Sequence, residues 1–380
     1  MRVVQIAPAI GPGSGVAGVA HHLELEWQRR GIETVRFTMS EAGGDWLPEE
    51  QPGLPGKLVH AARVGWFSTV GTLRARRFLR AQPESFSICH NDALTGDVYV
   101  NHGLLQAAMR ARGNYALRML RNPLHLFTLL RDRWRYGSHG PHRLVVNLTT
   151  ADDELMHRHH RRLRTPTVVI GNGVDLDKFT PPSRSGREEA RQELGLSPRD
   201  IAILFVGHEY ARKGLPVLLE ALSDMPANYK LVVVGGTPQM VDATRSSAVS
   251  NGLGDRVTFA GQVADPTSHL HASDVLALPS AYEAYPLVVL EALACGMPVI
   301  ATSTGSVPDL IHDGEQGFVV EADASALRVA LTRLTPLLGE ALSRECRLTA
   351  ERRSWSGVAD EYLTALQGLR PARSANRGRW

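Results

Sequence analysis

Short β-branched runs alternate with helix-length segments from one end of the chain to the other, and this alternation most narrows what the chain can become. Strands that each lead into a helix cannot form hairpins. They form βα units and parallel sheets, whose strands are covered on both faces and read as continuous apolar runs. In the first half the runs are Val3–Ala7, Thr34–Phe37, Phe86–Cys89, Val98–Asn101, Leu144–Leu148 and Thr167–Ile170. In the second they are Ile201–Val206, Lys230–Val234, Val257–Phe259, Val275–Leu278, Val299–Ala301 and Phe318–Val320. Leu215, Leu218, Leu219 and Leu222 recur at helical spacing, as do Leu287, Leu290 and Ala294. At 380 residues, two α/β domains are expected.

The Pro/Ser/Gly-rich segment Phe179–Gly186 breaks the pattern and reads as a linker. The expected division is therefore an N-terminal domain over 1–178, a linker over 179–186 and a C-terminal domain over 187–354. A last helix over 355–370 crosses back to the first domain, and an Arg/Ser/Gly-rich tail over 371–380 is expected to be disordered.

Composition removes several classes. The cysteines Cys89, Cys295 and Cys346 are scattered and odd in number, which fits a reducing cytoplasm rather than a disulfide framework or zinc site. No apolar run approaches the roughly 20 residues of a membrane span, and Pro8 ends the opening strand too early for a signal peptide. An aromatic fraction of 6% disfavours nucleic acid as a partner. Charge is unevenly spread: residues 57–80 carry six basic side chains and no acid, and 104–164 carry twelve arginines against four acids. The first domain is thus basic and the second acidic.

The strongest chemical signal is Glu283-Ala-Tyr-Pro-Leu-Val-Val-Leu-Glu291, followed by Ala-Leu-Ala-Cys-Gly-Met-Pro-Val299. Pro286 suits the first turn of a helix, which then begins just past a strand ending at Leu278-Pro-Ser280. Its free N–H groups face the strand ends, where α/β sheets bind ligands and where a diphosphate is well received. Glu283 precedes the helix and Glu291 lies inside it, ~8 Å along the axis. Two carboxylates at different depths can accept bonds from hydroxyls at opposite ends of a nucleotide sugar. The bland alternative is a solvated pair of helix acids, against which the apolar surroundings speak. The second signal is Phe205-Val-Gly-His-Glu-Tyr-Ala-Arg-Lys-Gly214, which places Arg212 and Lys213 in a βα loop where cations can stabilise a departing diphosphate. Alone, such a basic pair is more often a polar loop.

These residues resemble the retaining glycosyltransferases of family 4 (glycosyl transferases group 1), which have two Rossmann-like domains facing across a cleft, the GT-B fold. The resemblance spans nearly the whole chain. It includes the glycine loop after the first strand, Asn172–Phe179, the Arg-Lys-Gly loop, the E-x7-E segment, Gly305 through Gly317, and Trp355 and Tyr362. It implies a retaining, metal-independent transfer from a nucleotide-sugar donor, UDP-linked in the commonest case, with no resident cofactor or metal. By that resemblance Glu291 binds the donor ribose and Glu283 the transferred sugar. Arg212 and Lys213 hold the diphosphate with the N–H groups of Leu287 and Val288, Gly13 and Gly15 let the opposite loop approach it, and His102 lies near the reacting sugar. Two positions depart from the family: His208 stands where Arg is frequent, and Ala284 where Gly is.

Other signals carry less. Gly13-Ser-Gly-Val-Ala-Gly18 matches a dinucleotide fingerprint by letters and raises an NAD(P)-dependent oxidoreductase, but Pro8–Pro12 lengthens the loop and no acid ends the second strand. Asp175-Leu-Asp177 has the letters of a metal motif but sits away from the expected site and reads as structural. His157, His159 and His160 read as a solvated helix face, and Cys295 as a buried packing residue. A catalytically silent sugar-binding homologue is a further alternative, against which Glu283, Glu291 and Lys213 speak together. Finally, Trp66, Val70 and Leu73 recur at helical spacing beside Arg74, Arg76, Arg77 and Arg80. This pattern points to an anionic or lipid-linked acceptor and peripheral contact with the inner face of the membrane, although solvated arginine faces are common.

Overall fold

The structure is a computed structural model and describes residues 1–13, 15–49, 54–111, 115, 117, 119 and 122–369. The expected tail over 371–380 lies outside the described residues. The chain forms two compact units, the first holding residues 1–172 and the chain from Trp355 onward, the second holding 173–354. Each is built on a six-stranded sheet in which every adjacent pair is parallel.

The first sheet comprises β1 (Arg2–Ile6), β2 (Glu33–Phe37), β3 (Ser85–Cys89), β4 (Val98–Asn101), β5 (Leu144–Asn147) and β6 (Thr167–Val169), in the order β2-β1-β3-β4-β5-β6. The second comprises β7 (Ile201–Val206), β8 (Tyr229–Val234), β9 (Val257–Gly261), β10 (Val275–Leu278), β11 (Val299–Thr302) and β12 (Gly317–Val320), in the order β9-β8-β7-β10-β11-β12. Each apolar run of the sequence is a strand. The interior strands β3, β4, β5, β10 and β11 are buried at every residue, as helices on both faces require. In the second sheet the chain leaves β7 to one side for β8 and β9, then returns to β10 on the other. This reversal opens a crevice at the carboxyl ends of β7 and β10, the place where such sheets receive nucleotides. In the first sheet the reversal lies between β1 and β3.

The helix Trp355–Gly368 packs on the helix Gly15–Arg29 of the first unit. Trp27 Nε1 donates to Ala359 O at 3.3 Å, its ring meets Tyr362 edge-on at 6.3 Å, and Arg30 pairs with Asp360 at 2.6 Å.

Two expectations are corrected. The segment 179–186 is not a linker, and residues 173–178 do not belong to the first unit. Val174 and Phe179 are buried in the core of the second unit, Arg347 donates to Phe179 O at 2.7 Å, and a helix begins at Arg184 under a Ser183 cap. The chain changes unit at 172/173 and 354/355, not at Pro181-Pro182. Val174 N donates to Arg353 O at 2.9 Å, so the two crossings run side by side. Apolar anchors within a Pro-rich composition produced the misreading.

The stripe of Trp66, Val70 and Leu73 also does not form. A π-turn at Phe67–Gly71 joins the helices Leu54–Trp66 and Thr72–Arg80, and its wider winding breaks the spacing. Trp66 donates inward to Ala42 O at 3.1 Å while Leu73 is 65% exposed, and Arg74 and Arg76 cap carbonyls of Ala42 and Leu94.

Candidate active site

Two loops of the second unit meet at the ends of β7 and β10. From β7 the chain runs through Gly207, over which the Lys213 side chain lies so closely that a Cβ there would fall 2.1 Å from Lys213 Cδ. The short helix Tyr210–Lys213 ends at Gly214 with φ 83°, and a Cβ at Gly214 would meet Pro279 O at 2.1 Å. Only glycine allows that approach. Ala281 N donates to Arg212 O at 2.8 Å, and Arg212 donates to Tyr282 O, so the loops after β7 and β10 are joined.

This joining brings Arg212, Lys213 and Glu283 together. Glu283 Oε1 lies 3.1 Å from Lys213 Nζ and 3.4 Å from Arg212 Nη1, and it accepts from Ser280 Oγ at 2.9 Å. All three donors converge on one oxygen, so the carboxylate is held while Oε2 keeps its lone pairs for a ligand hydroxyl. Arg212 is held from behind by Glu209 at 2.6 Å. His208 is exposed and makes no hydrogen bond among the described residues. Gly305 supports the loop from below, because a Cβ there would lie 2.9 Å from Glu283 O and 2.8 Å from Ala284 O.

The helix Leu287–Ala294 starts beside these groups. Pro286 at its N-cap offers no side-chain acceptor, and the N–H groups of Leu287 and Val288 have no acceptor among the described residues. They form an open anion-binding end. One face of this helix is packed into the core by Val289, Leu290 and Leu293. The carboxylate of Glu291, on another face, has no hydrogen-bond partner among the described residues. Burial pushes its carboxyl up to about 7, opposed by Lys178 and Lys213. Lys178, which lies 3.4 Å from Asp265, is a part of the site that the sequence reading missed. It belongs to the Asp175–Phe179 turn, in which Asp175 Oδ1 accepts from the N–H groups of Asp177 and Lys178 at 3.1 and 3.0 Å. The carboxylate of Asp175 is thus engaged by its own turn.

The first unit carries Gly13, Gly15 and His102. Gly13 and Gly15 have φ of 125° and 78°, and a Cβ at Gly18 would come 1.9 Å from Gly13 O, so the loop folds back tightly on the helix it precedes. His102 follows β4; its Nε2 is buried without a partner among the described residues, and burial lowers its pKa to about 4. Its ring lies 5.7 Å from that of His90, which follows β3 in the same way. The sequence offered that signal, a histidine just past a central strand, at His90 as much as at His102. Asp152 Oδ2 is likewise buried without a partner among the described residues, and burial raises its pKa to about 6 against a bond from Thr149.

The secondary signals separate. His157 pairs with Thr167, His159 with Arg110, and His160 packs on Tyr136, so the three rings face different neighbours. Cys295 is buried and its thiol is pushed up to about 12 by that burial. No described helix is long and apolar enough to cross a membrane.

Residues 186–336 match the family model of the glycosyl transferases group 1. A D-inositol 3-phosphate glycosyltransferase of Rhodococcus opacus is 29% identical, over 96% of this chain and 89% of that one. Among solved structures, WaaG, a glycosyltransferase involved in lipopolysaccharide biosynthesis, superposes with a TM-score of 0.74 at 21% identity, over 97% of this chain and all of that one. Anabaena Alr3699/HepE in complex with UDP-glucose gives 0.65 at 19% identity over the same shares. The two parallel sheets are those of the GT-B fold.

Proposed function

We propose that this chain, a glycosyltransferase of the glycosyl transferases group 1, moves a sugar from a UDP-sugar to an anionic acceptor with retention of configuration and without a divalent metal. The observation that carries this reading is the convergence of Arg212, Lys213 and Glu283 beside the open N-terminus of the helix Leu287–Ala294. The nucleoside diphosphate rests at the ends of β7 and β10, its phosphates facing Arg212, Lys213 and the N–H groups of Leu287 and Val288. Glu291 accepts from the ribose hydroxyls and Glu283 Oε2 from the sugar.

As the bond from the anomeric carbon to the phosphate oxygen breaks, positive charge spreads over the sugar and negative charge collects on the diphosphate. Lys213 and Arg212 are already in place there, so little reorganisation is needed, which is the source of the rate gain. The two cations also do the charge work that a divalent ion would otherwise do. Retention, a UDP donor and a cytoplasmic location rest on the family resemblance. The UDP donor is in keeping with the UDP-glucose bound by Alr3699/HepE.

The acceptor engages the basic first unit. The named substrate of the Rhodococcus relative is a phosphorylated polyol, which favours an anionic acceptor. An exposed stripe of Leu126, Leu130 and Trp134 on the helix Pro123–Arg135, at 42%, 69% and 44% exposure beside Arg133, favours peripheral contact with an anionic membrane surface. A screen of nucleotide sugars by thermal shift in EDTA tests the donor assignment, since ligands that bind only the folded state raise its melting temperature. A UDP-sugar is expected to give the largest shift.

A further inference from the structure

At the reversal point of the first sheet, Gln5 on β1, His90 after β3 and His102 after β4 form a buried polar row. Gln5 and His90 are fully buried. Gln5 Nε2 donates to Ala20 O at 2.9 Å, which turns the amide oxygen toward His90. That oxygen lies 2.8 Å from His90 Nε2, and an amide oxygen only accepts, so His90 carries its proton on Nε2. His90 Nδ1 is then a bare lone pair. It is buried and has no hydrogen-bond partner among the described residues, and the same holds of His102 Nε2. The rings are 5.7 Å apart and inclined by 32°. One hydroxyl, which can donate to one ring nitrogen and accept from another, matches what the orphaned nitrogens of these neighbouring rings need. Leaving two polar atoms orphaned in the interior is costly unless something engages them.

We propose that His90 is a positioning residue for His102, its Nδ1 accepting from a single hydroxyl group that in turn accepts from His102 Nε2–H. The Ala20–Gln5–His90 chain thereby selects the tautomer in which His102 presents a donor. Without the acceptor at His90, the same hydroxyl turns and donates to His102, which moves its proton to Nδ1. This rests on the glycosyltransferase reading for what His102 serves, but not for the tautomers themselves. The hydroxyl belongs to a bound sugar or to water, and adding ligand distinguishes the two.

The test uses the full chain labelled with ¹⁵N at histidine, with long-range ¹H–¹⁵N spectra reporting which ring nitrogen is protonated. Asparagine places its amide oxygen near the position of Nδ1, and glutamine places its amide near Nε2. His90→Asn is therefore expected to leave the His102 tautomer as in the wild type, and His90→Gln to shift it toward Nδ1–H. Gln5→Leu, which alters neither ring, should shift His102 in the same direction and guards against a misfolded His90 variant. A His102 spectrum that responds alike to both His90 variants, or more to asparagine, overturns the proposal. In turnover of UDP-glucose, His90→Gln should lower kcat about tenfold with the donor KM within twofold, while His90→Asn stays within threefold of wild type. If UDP-glucose is not turned over by the wild type, the donor assignment fails while the spectra still decide the role of His90.

Discussion

Lys213 Nζ lies 3.1 Å from Glu283 Oε1, so the cation assigned to the leaving diphosphate is held in the free protein by the carboxylate assigned to the sugar. One contact orients both groups before any ligand arrives. Lys213→Ala removes a charge-assisted contact to the leaving group, worth roughly 2.7–4 kcal/mol at comparable sites. A fall in kcat of about a hundredfold or more is expected from steady-state kinetics. An enzyme within a factor of two of wild type would place the clamp elsewhere.

In the proposed site, Glu291 would tie donor binding to pH. Burial raises its pKa to about 7, above that of the unfolded chain, so the neutral acid is favoured by folding. Its contribution to stability is full below pH ~4.3 and is lost as pH rises through about 7. Glu291→Gln should therefore stabilise the ligand-free protein at pH 8 more than at pH 5, while weakening donor binding. Melting curves at the two pH values and donor titrations of the variant check both halves.

The reverse sign applies to the first unit. His142 is buried with its pKa lowered to about 3, chiefly by burial and also by Arg135, while its Nδ1 donates to Gly96 O at 3.1 Å. Its folded pKa lies below the unfolded value, so its contribution is present above pH ~6.5 and is lost as pH falls toward 3. At pH 5 this amounts to about 2 kcal/mol. His90 and His102 act in the same direction. His142→Gln is expected to flatten the decline in denaturation midpoint between pH 7 and 5; an unchanged decline would contradict the buried neutral assignment.

The same region holds a buried ion network. Arg131 pairs with Asp92 at 2.5 Å, and Arg135 pairs with Asp132 at 3.2 Å, donates to the carbonyls of Asn91, Asp92 and Ala93, and stacks its guanidinium 3.9 Å over Tyr99. This anchors the helix Pro123–Arg135 to the loop that carries His90. Breaking one partner of such a pair costs about 3–5 kcal/mol, whereas replacing both with apolar groups costs far less. Asp92→Leu should lower the melting temperature strongly, and adding Arg131→Met should recover much of it.

Much of this was legible in the sequence because parallel sheets bury both faces. All twelve strands stand out as apolar runs, and Glu283, Arg212 and Lys213 follow strand ends where chemistry is expected, with Glu291 in the next helix. Long-range facts were not legible. Nothing local tells that Phe179 is a core residue and that the Pro-rich segment around it is packed, or that Lys178 lies near Glu291. The π-turn at Phe67–Gly71 defeated the helical spacing because one extra residue per turn is invisible to a fixed period. His90 was missed because its meaning depends on Gln5, 85 residues earlier.

The membrane reading has its own check. Binding of the chain to vesicles should rise with anionic lipid, fall with salt, and be lost in Leu130→Glu, because Leu130 is the most exposed member of the Leu126–Leu130–Trp134 stripe. Binding indifferent to lipid charge would leave a soluble anionic acceptor.

The most direct measurement of the central claim is calorimetric titration of UDP-glucose and UDP in EDTA into wild type, Lys213→Ala and Glu291→Gln. The site built from the ends of β7 and β10 should bind both ligands in the wild type without metal. Lys213→Ala and Glu291→Gln, titrated at pH 8 where Glu291 is mostly ionised, should each weaken both ligands about tenfold or more, since each then removes a charged partner. Undiminished affinity in both variants, or binding that requires an added divalent cation, would contradict the site as assigned.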